Sequence, residues 1–249
     1  PEPEAPPEIE GVAPEAAEEA TEEAAELVDD ASATRRYRWQ ITGLDGLAEA
    51  VEIRTGFDER SVLEGDREKS ANAAQIDRRA RADAELLAEL LRSYGYYDAA
   101  VEPSIHAAGQ ELIVQLSAIP GPLYRFASVE LPGLDRAAGN EAAALRSAFG
   151  VKAGDPVVAQ QVIEAGVALQ VALGERGFAT AKVSEQDILI DHEAQVARLV
   201  LPVTPGPIAR FGQITVTGQP PFSSRHVQRI ARFRPGDRYE QSEVTDLRR

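Results

Sequence analysis

Cysteine is absent from all 249 residues, so the chain can form no disulfide, no thiolate metal site and no cysteine nucleophile. Methionine is absent too, even at position 1, which indicates a processed or excised chain, such as one whose signal peptide has been removed. No apolar run reaches the roughly 18 residues that a membrane-spanning helix requires. The sequence therefore predicts no transmembrane helix.

Basic residues are missing from the first 34 positions, which hold twelve Asp and Glu. This Ala-, Glu- and Pro-rich composition cannot bury enough apolar surface to fold, and it predicts a disordered acidic linker over residues 1–34. An acidic tail that binds a basic partner is the alternative. The rest of the chain carries the other 29 of the 41 acids against 26 bases. It has no basic field for nucleic acid.

Motifs for catalysis and for phosphate binding are also lacking. The three histidines, His106, His192 and His226, fall in different predicted elements. Asp191 and Glu193 flank His192, but adjacent residues on a strand point to opposite faces. We therefore predict a protein that is not an enzyme and that has no catalytic residue, no metal site and no cofactor.

One stretch occurs twice. Residues 119–133 read IPGPLYRFASVELPG and residues 204–218 read TPGPIARFGQITVTG, with Pro-Gly-Pro, Arg-Phe and a closing Gly in the same register. A partial third copy ends at Gly43. Gly95 and Gly154 recur 82 positions later, as Gly177 and Gly236. The repeat predicts three modules, and a rigid turn opens each of the two full copies.

The module boundaries follow from this period: 35–119, 120–204, and 205–249, where the third module is truncated. The first two modules each predict the order β-α-α-β-β, which is an α+β fold. Two helices between the first and second strands let the first and third strands lie parallel. We expect a three-stranded mixed sheet covered by two helices on one face.

Helix and strand patterns are clearest in four places. A long helix over about 76–94 carries an apolar stripe, and its charged residues, Asp83 and Arg79 among them, are predicted to form a solvated face. Asp155, before Pro156, is predicted to be a helix N-cap. Strands are predicted around 181–190 and, in the third module, over 208–217.

Two aromatic rings break the strand alternation. Phe126 has the opposite parity to Val129 and Leu131, and Phe211 does the same in the third module. Either a β-bulge intervenes or the rings pack outside their own module, and we favour the second explanation. The predicted inter-module junction therefore comprises Pro120, Pro122, Phe126, Pro205, Pro207 and Phe211.

These features together resemble POTRA domains, the polypeptide-transport-associated modules of outer-membrane assembly proteins. The resemblance rests on the β-α-α-β-β repeat, on strands that end in Gly, on Gly-Asp-Pro and on the turns Gly-Tyr-Tyr-Asp-Ala and Gly-Phe-Ala-Thr-Ala. Three modules, with Arg79-Ala80-Arg81-Ala82-Asp83 leading into Gly95, look most like the TamA-like branch. The resemblance covers about residues 36–249.

This resemblance implies a periplasmic arm, tethered to the bacterial outer membrane by a C-terminal β-barrel outside this sequence. It implies unfolded outer-membrane proteins or autotransporters as clients, and a TamB-like periplasm-spanning subunit as partner. A two-partner secretion transporter, or a periplasmic division or secretion scaffold, is the alternative.

The family's second strand is a sheet edge, which can pair with an extended guest chain through its backbone, a mode called β-augmentation. Pro103 interrupts the donors of the first module's edge, so we favour the second module's edge. The predicted edge residues are Val101, Ile105, Ala107, Ala181, Val183, Glu185, Ile188 and Ile190.

Overall fold

The computed structural model describes residues 34–109, 111–137, 140–218 and 223–248. The predicted linker therefore lies, apart from Thr34, outside the described residues. The chain divides into two compact units. The first contains the described residues up to Leu90 together with Ala100–Ile119. The second contains Leu91–Ala99 and the described residues from Pro120 onward.

The first unit is built on one three-stranded mixed sheet. Its strand order is β1-β3-β2, with β1 parallel and β2 antiparallel to β3. Along β3 every second residue is buried, so one face of the sheet is covered. The elements are β1 (Arg36–Thr42), α1 (Ala50–Asp58), α2 (Val62–Gly65), α3 (Ala73–Ser93), β2 (Ala100–Ala108) and β3 (Glu111–Ile119). The α+β prediction is confirmed, with the one-turn helix α2 as an addition.

Asp83 does not belong to a solvated face, so this prediction was wrong. Its side chain on α3 is buried, with the residue only 1% exposed. Its carboxylate accepts hydrogen bonds from Ser61 Oγ (2.6 Å), Val62 N (2.9 Å) and Leu63 N (2.9 Å). These donors lie at the N-terminus of α2, where backbone N–H groups lack partners within the helix. The carboxylate thus ties α2 to α3.

Arg79 also leaves the predicted solvated face. Its guanidinium lies 5.9 Å from the ring centroid of Tyr37 and forms an ion pair with Asp66 at 2.9 Å. The Tyr37 hydroxyl in turn donates to the carbonyl of Leu63 at 2.9 Å. Charged groups of α3 therefore face both solvent and the protein, which the helical spacing alone did not distinguish.

The second unit repeats the mixed sheet. Its strand order is β4-β7-β6, with β4 parallel and β6 antiparallel to β7, and a separate pair joins β5 to β8. The strands are β4 (Arg125–Glu130), β5 (Lys182–Val183), β6 (Asp187–Asp191), β7 (Val196–Val200) and β8 (Val203–Thr204). The helices are α4 (Glu141–Phe149), α5 (Ala159–Glu175), α6 (Ser224–Ile230) and α7 (Gln241–Arg248). The buried face of α5 comprises Val162, Ala165, Leu169 and Leu173, which follow helical spacing.

A β-bulge explains the parity of Phe126. The β4–β7 register shifts between Phe126 and Ser128, so Ala127 is the extra residue. Phe126 lies in the core cluster of residues 124–203. Phe211 stacks on Phe233, with ring centroids 3.7 Å apart. Both rings thus pack within their own repeat, and the explanation that we favoured, packing outside it, was wrong.

The predicted strand over 208–217 is also wrong. Among the described residues, only an isolated bridge between Arg210 and Arg238 pairs this segment. In the second repeat the equivalent strand is held by β7. Within the described ranges, no strand takes the place beside residues 208–217 that β7 takes beside β4.

Glycine ends β4 for two reasons. Gly133 has a φ of +88°, and a Cβ at this position would collide with the carbonyl oxygen of Val203. Gly43, which follows β1, combines a φ of +86° with the same approach to the carbonyl oxygen of Ala118. Both glycines thus combine a left-handed backbone conformation with close approach to a neighbouring backbone.

Candidate functional site

The predicted edge strand of the first module is continuous. Strand β2 pairs with β3 alone among the described residues, over nine residue pairs from Ala100↔Ile119 to Ala108↔Glu111. It contains three of the predicted edge residues: Val101, Ile105 and Ala107. The pairing runs through Pro103↔Leu116 without a break. Since an inward-facing proline would remove a ladder hydrogen bond, we infer that its nitrogen faces away from β3.

The predicted edge strand 181–190 is interrupted. It forms β5 and β6, separated by residues 184–186, so Glu185 lies in no strand. Pro202 lies between β7 and β8, opposite this break, and has no N–H to donate to the neighbouring strand. One backbone hydrogen bond remains there, from Ser184 N to the Pro202 carbonyl at 3.0 Å. Ile188 and Ile190 lie on β6, which is only five residues long, and Ala181 and Val183 pack against the core. The second module therefore offers the shorter edge.

An apolar groove lies beside the other edge strand, β4. Its volume is about 790 Å³. The apolar lining includes Val129 and Leu131 from the β4 segment and Ala142 from α4. Arg146 and Lys152 also line it. Sequence patterns did not indicate this groove, because it depends on how α4 sits against the sheet.

The predicted junction positions lie in a repeated set of backbone hydrogen bonds within the second unit. Tyr124 N donates to Gly95 O at 2.9 Å, and the equivalent Ala209 N donates to Gly177 O at 2.8 Å. A second pair of bonds ties each segment to the Gly-Asp turn. Phe126 N donates to Asp155 O and Phe211 N to Asp237 O, both within 2.9 Å.

The prolines of the predicted junction fall in the turns before these segments. Pro120 and Pro122 flank Gly121, whose backbone has a φ of +72°. A Cβ on Gly121 would meet the Asp98 side chain. Pro205 and Pro207 flank Gly206 in the same way, and that glycine faces Thr180.

Asp155 is not a helix N-cap, contrary to prediction. Helix α5 begins at Ala159, and its N-cap is Val158, without a side-chain bond. The Asp155 carboxylate instead accepts from Lys152 N at 3.0 Å, which closes a turn. The reason is that Val157 is held in extended pairing, with its N–H donating to Tyr124 O at 3.0 Å.

Charged side chains of α4 and α5 contact Arg238 and α7. Glu141 on α4 pairs with Arg176 and with Arg238, at 2.9 Å each. These hydrogen bonds lower the pKa of Glu141, the bond from Arg176 most strongly. Ser242 on α7 donates to Glu175 through its N–H (2.8 Å) and its hydroxyl (2.6 Å).

Tyr124, Asp98 and His192 form a three-membered cluster within the second unit. The Tyr124 hydroxyl donates to Asp98 Oδ2 at 2.9 Å, and His192 Nδ1 lies 2.9 Å from Asp98 Oδ1. The carboxylate partner of His192 is 94 residues away in sequence, so local spacing did not indicate this contact. The hydrogen bonds from His192 and Tyr124 lower the pKa of Asp98. Burial and the neighbouring Asp98 raise the pKa of Tyr124 to about 12.

Neither a metal centre nor a membrane-spanning helix is found among the described residues. Within the described ranges, no group of three or more His, Asp or Glu is arranged to hold a metal ion. In that same part of the chain, no helix is both long and apolar enough to cross a membrane.

The chain resembles solved structures but matches no family model. No protein-family model matches the chain, and no curated protein matches it. Among solved structures, it is similar to POTRA3–5 of Haemophilus influenzae BamA, with 17% identity and a TM-score of 0.43, covering 86% of this chain and 82% of that one. It is also similar to POTRA1–3 of the periplasmic domain of Omp85 from Anabaena, with 13% identity, a TM-score of 0.38, and coverage of 87% and 83%. A third similar structure is CdiB from Escherichia coli, with 13% identity and a TM-score of 0.31. The match covers 79% of this chain and 36% of CdiB.

Proposed function

We propose that this chain is a protein-binding arm that docks extended polypeptides by strand addition to its sheet edges. The observation that carries the proposal is β2, a nine-residue strand that pairs on one side only among the described residues. Such an edge presents backbone donors and acceptors to any extended chain and so binds with little side-chain selectivity.

Three modules, 35–119, 120–204 and 205–249, form the proposed arm. The resemblance of their motifs to POTRA domains supports a periplasmic location and a role in outer-membrane protein assembly of the TamA-like kind. Unfolded outer-membrane proteins or autotransporters are the proposed clients, a TamB-like subunit the proposed partner, and a following β-barrel the proposed membrane anchor.

The edges are not equal in this proposal. Strand β2 is unbroken, whereas β5 and β6 are separated beside Pro202. A long guest strand therefore gains more consecutive hydrogen bonds on β2, even though Pro103 removes one donor. This order reverses the preference drawn from sequence alone, which weighed Pro103 without the break at residues 184–186.

A titration with an extended peptide tests the proposal. The labelled full chain is titrated with a nine-residue peptide of alternating apolar and polar residues, and amide shifts are recorded. We expect the shifts to concentrate on Ala100–Ala108 and, more weakly, on Asp187–Asp191. The control peptide has the same sequence, with N-methyl groups at alternate backbone nitrogens on its pairing side, so it cannot complete the ladder.

Two outcomes would contradict strand addition. One is equal affinity for the methylated and unmethylated peptides, which would mean that backbone bonding is not involved. The other is a set of shifts confined to the groove residues Val129, Ala142 and Val151, which would place the guest beside β4.

A further inference from the structure

Helix α5 has an apolar outer face. Ile163, Val167 and Val171 follow each other at i, i+4 and i+8, so they form one straight row. Their exposed fractions are 48%, 61% and 53%. The row lies opposite the buried face of Val162, Ala165, Leu169 and Leu173. A helix that is apolar on both sides is normally covered on both sides.

The first repeat shows what an ordinary solvated face looks like at these positions. An 82-residue shift places Arg81, Glu85 and Glu89 of α3 at the equivalent positions, and all three are exposed. Arg81 there pairs with Asp77 at 2.8 Å on the helix surface. The same fold thus tolerates three charges along this row, so the apolar row of α5 is not required by the architecture.

The residues beside the row carry little charge. The exposed flanks of α5 are mostly uncharged, with three glutamines and an alanine: Gln160, Gln161, Ala168 and Gln170. Glu164 and Glu175 are its charged residues, and it has no Lys or Arg. Removing this face from water therefore desolvates few charges, as in the centre of a protein interface. Without a cation, the face gains nothing from anionic lipid.

Area and length favour a single helix as occupant. The row is only one side chain wide, which suits a single helix, whereas a stable interface with a second copy of this chain would bury ~800 Å² per partner. Its length is about 12 Å, a little over two helical turns. The same face continues to Gly174, where a Cβ would collide with the Gln241 side chain of α7. Helix α7 therefore already packs against the C-terminal end of this face of α5.

We propose that the row Ile163–Val167–Val171 is a docking surface for an amphipathic helix of a partner protein. That helix presents a short apolar seam at i, i+3 or i+4, and i+7, flanked by uncharged polar residues. This binding mode is separate from strand addition, because it uses side chains of α5 and no sheet edge.

The test uses the full chain and two designed 18-residue peptides of identical composition. One places leucines at helical spacing among glutamines; the other alternates them as in a strand. Binding is read by anisotropy of a fluorophore on each peptide. We expect the helical peptide to bind, and Val167→Glu to weaken it about tenfold, since a charge replaces the central contact. The matched control is Val51→Glu on α1, where Val51 is 72% exposed; it should leave affinity unchanged.

Four results would overturn the proposal. Val167→Glu could leave the affinity unchanged, or the alternating peptide could bind α5 as well as the helical one does. The chain could bind phosphatidylcholine vesicles and lose that binding with Val167→Glu, which would assign the row to lipid. It could also self-associate through the row, seen as a concentration-dependent mass that Val167→Glu abolishes. Strand-peptide binding to β2 in the same variant reports separately on the proposed function.

Discussion

Replacing Asp83 should destabilise the first unit. The carboxylate accepts from Ser61 Oγ, Val62 N and Leu63 N, so Asp83→Ala leaves three donors without a partner. An unsatisfied buried donor costs about 1–3 kcal/mol, and some of these donors regain water, so we expect a loss of about 3–5 kcal/mol. Small domains are stable by only about 5–15 kcal/mol. Asp83→Asn keeps one accepting oxygen and should cost about 1–2 kcal/mol.

Trp39 provides the assay, because it is the single tryptophan of the chain and lies in the first unit. Its indole N–H donates to Glu64 of α2 at 3.1 Å. Urea unfolding followed by Trp39 fluorescence should show a midpoint lower by about 3–5 M for Asp83→Ala, at roughly 1 kcal/mol per molar urea. Asp77→Ala, which removes an exposed ion pair on the same helix, is the control. Similar midpoints for the Asp83 and Asp77 variants would refute the buried-cap argument.

Three further predictions concern glycine, acid and the edge proline. Gly133→Ala should destabilise the second unit by more than about 1 kcal/mol, because φ is positive and the Cβ meets the Val203 carbonyl. Gly154→Ala, with a φ of +92° but open space, should cost less in thermal unfolding by circular dichroism, and equal losses would contradict the close approach. The pKa of Asp98 is lowered by His192 and Tyr124, so its stabilising contribution is present above the unfolded pKa of about 3.9 and is lost as pH falls through the folded pKa. In Asp98→Asn, the free energy of urea unfolding should fall less steeply as the pH is lowered from about 5 to about 2. An unchanged dependence on pH would be inconsistent with the Asp98–His192–Tyr124 cluster. Pro103→Ala should restore one edge donor and tighten the strand peptide about two- to tenfold by anisotropy, since a net hydrogen bond is worth about 0.5–1.5 kcal/mol; unchanged affinity would mean that this nitrogen does not face the guest.

Much of the fold could be predicted from sequence periodicity. The 82- to 85-residue repeat and the alternation along β3 depend on local spacing, so the mixed sheets and the buried face of α5 could be predicted from residues alone. The closing glycines were predictable for the same reason, since a positive φ is a local requirement.

Contacts between distant residues could not be read in this way. Asp83 looks solvated on a helical wheel, and only the placement of α2 shows that its carboxylate meets three donors. His192 and Asp98 are 94 residues apart, and no pattern links them. The parity of Phe126 indicated either a bulge or packing outside the module. Only the pairing register of β4 with β7 decides in favour of the bulge at Ala127. The break beside Pro202 likewise depends on which strand faces residues 184–186.

The paired backbone bonds of Tyr124 with Gly95 and of Ala209 with Gly177 have a consequence for how successive repeats are connected. The coupling atoms are main-chain amides and carbonyls, which every residue except proline supplies in full. A repeat of about 85 residues can therefore keep the same main-chain connection whatever its sequence, whereas contacts such as those of Glu141 with Arg176 and of Asp98 with His192 depend on particular side chains. The main-chain bonds thus set the common geometry of successive repeats, and the side chains around each connection set how firmly it is held.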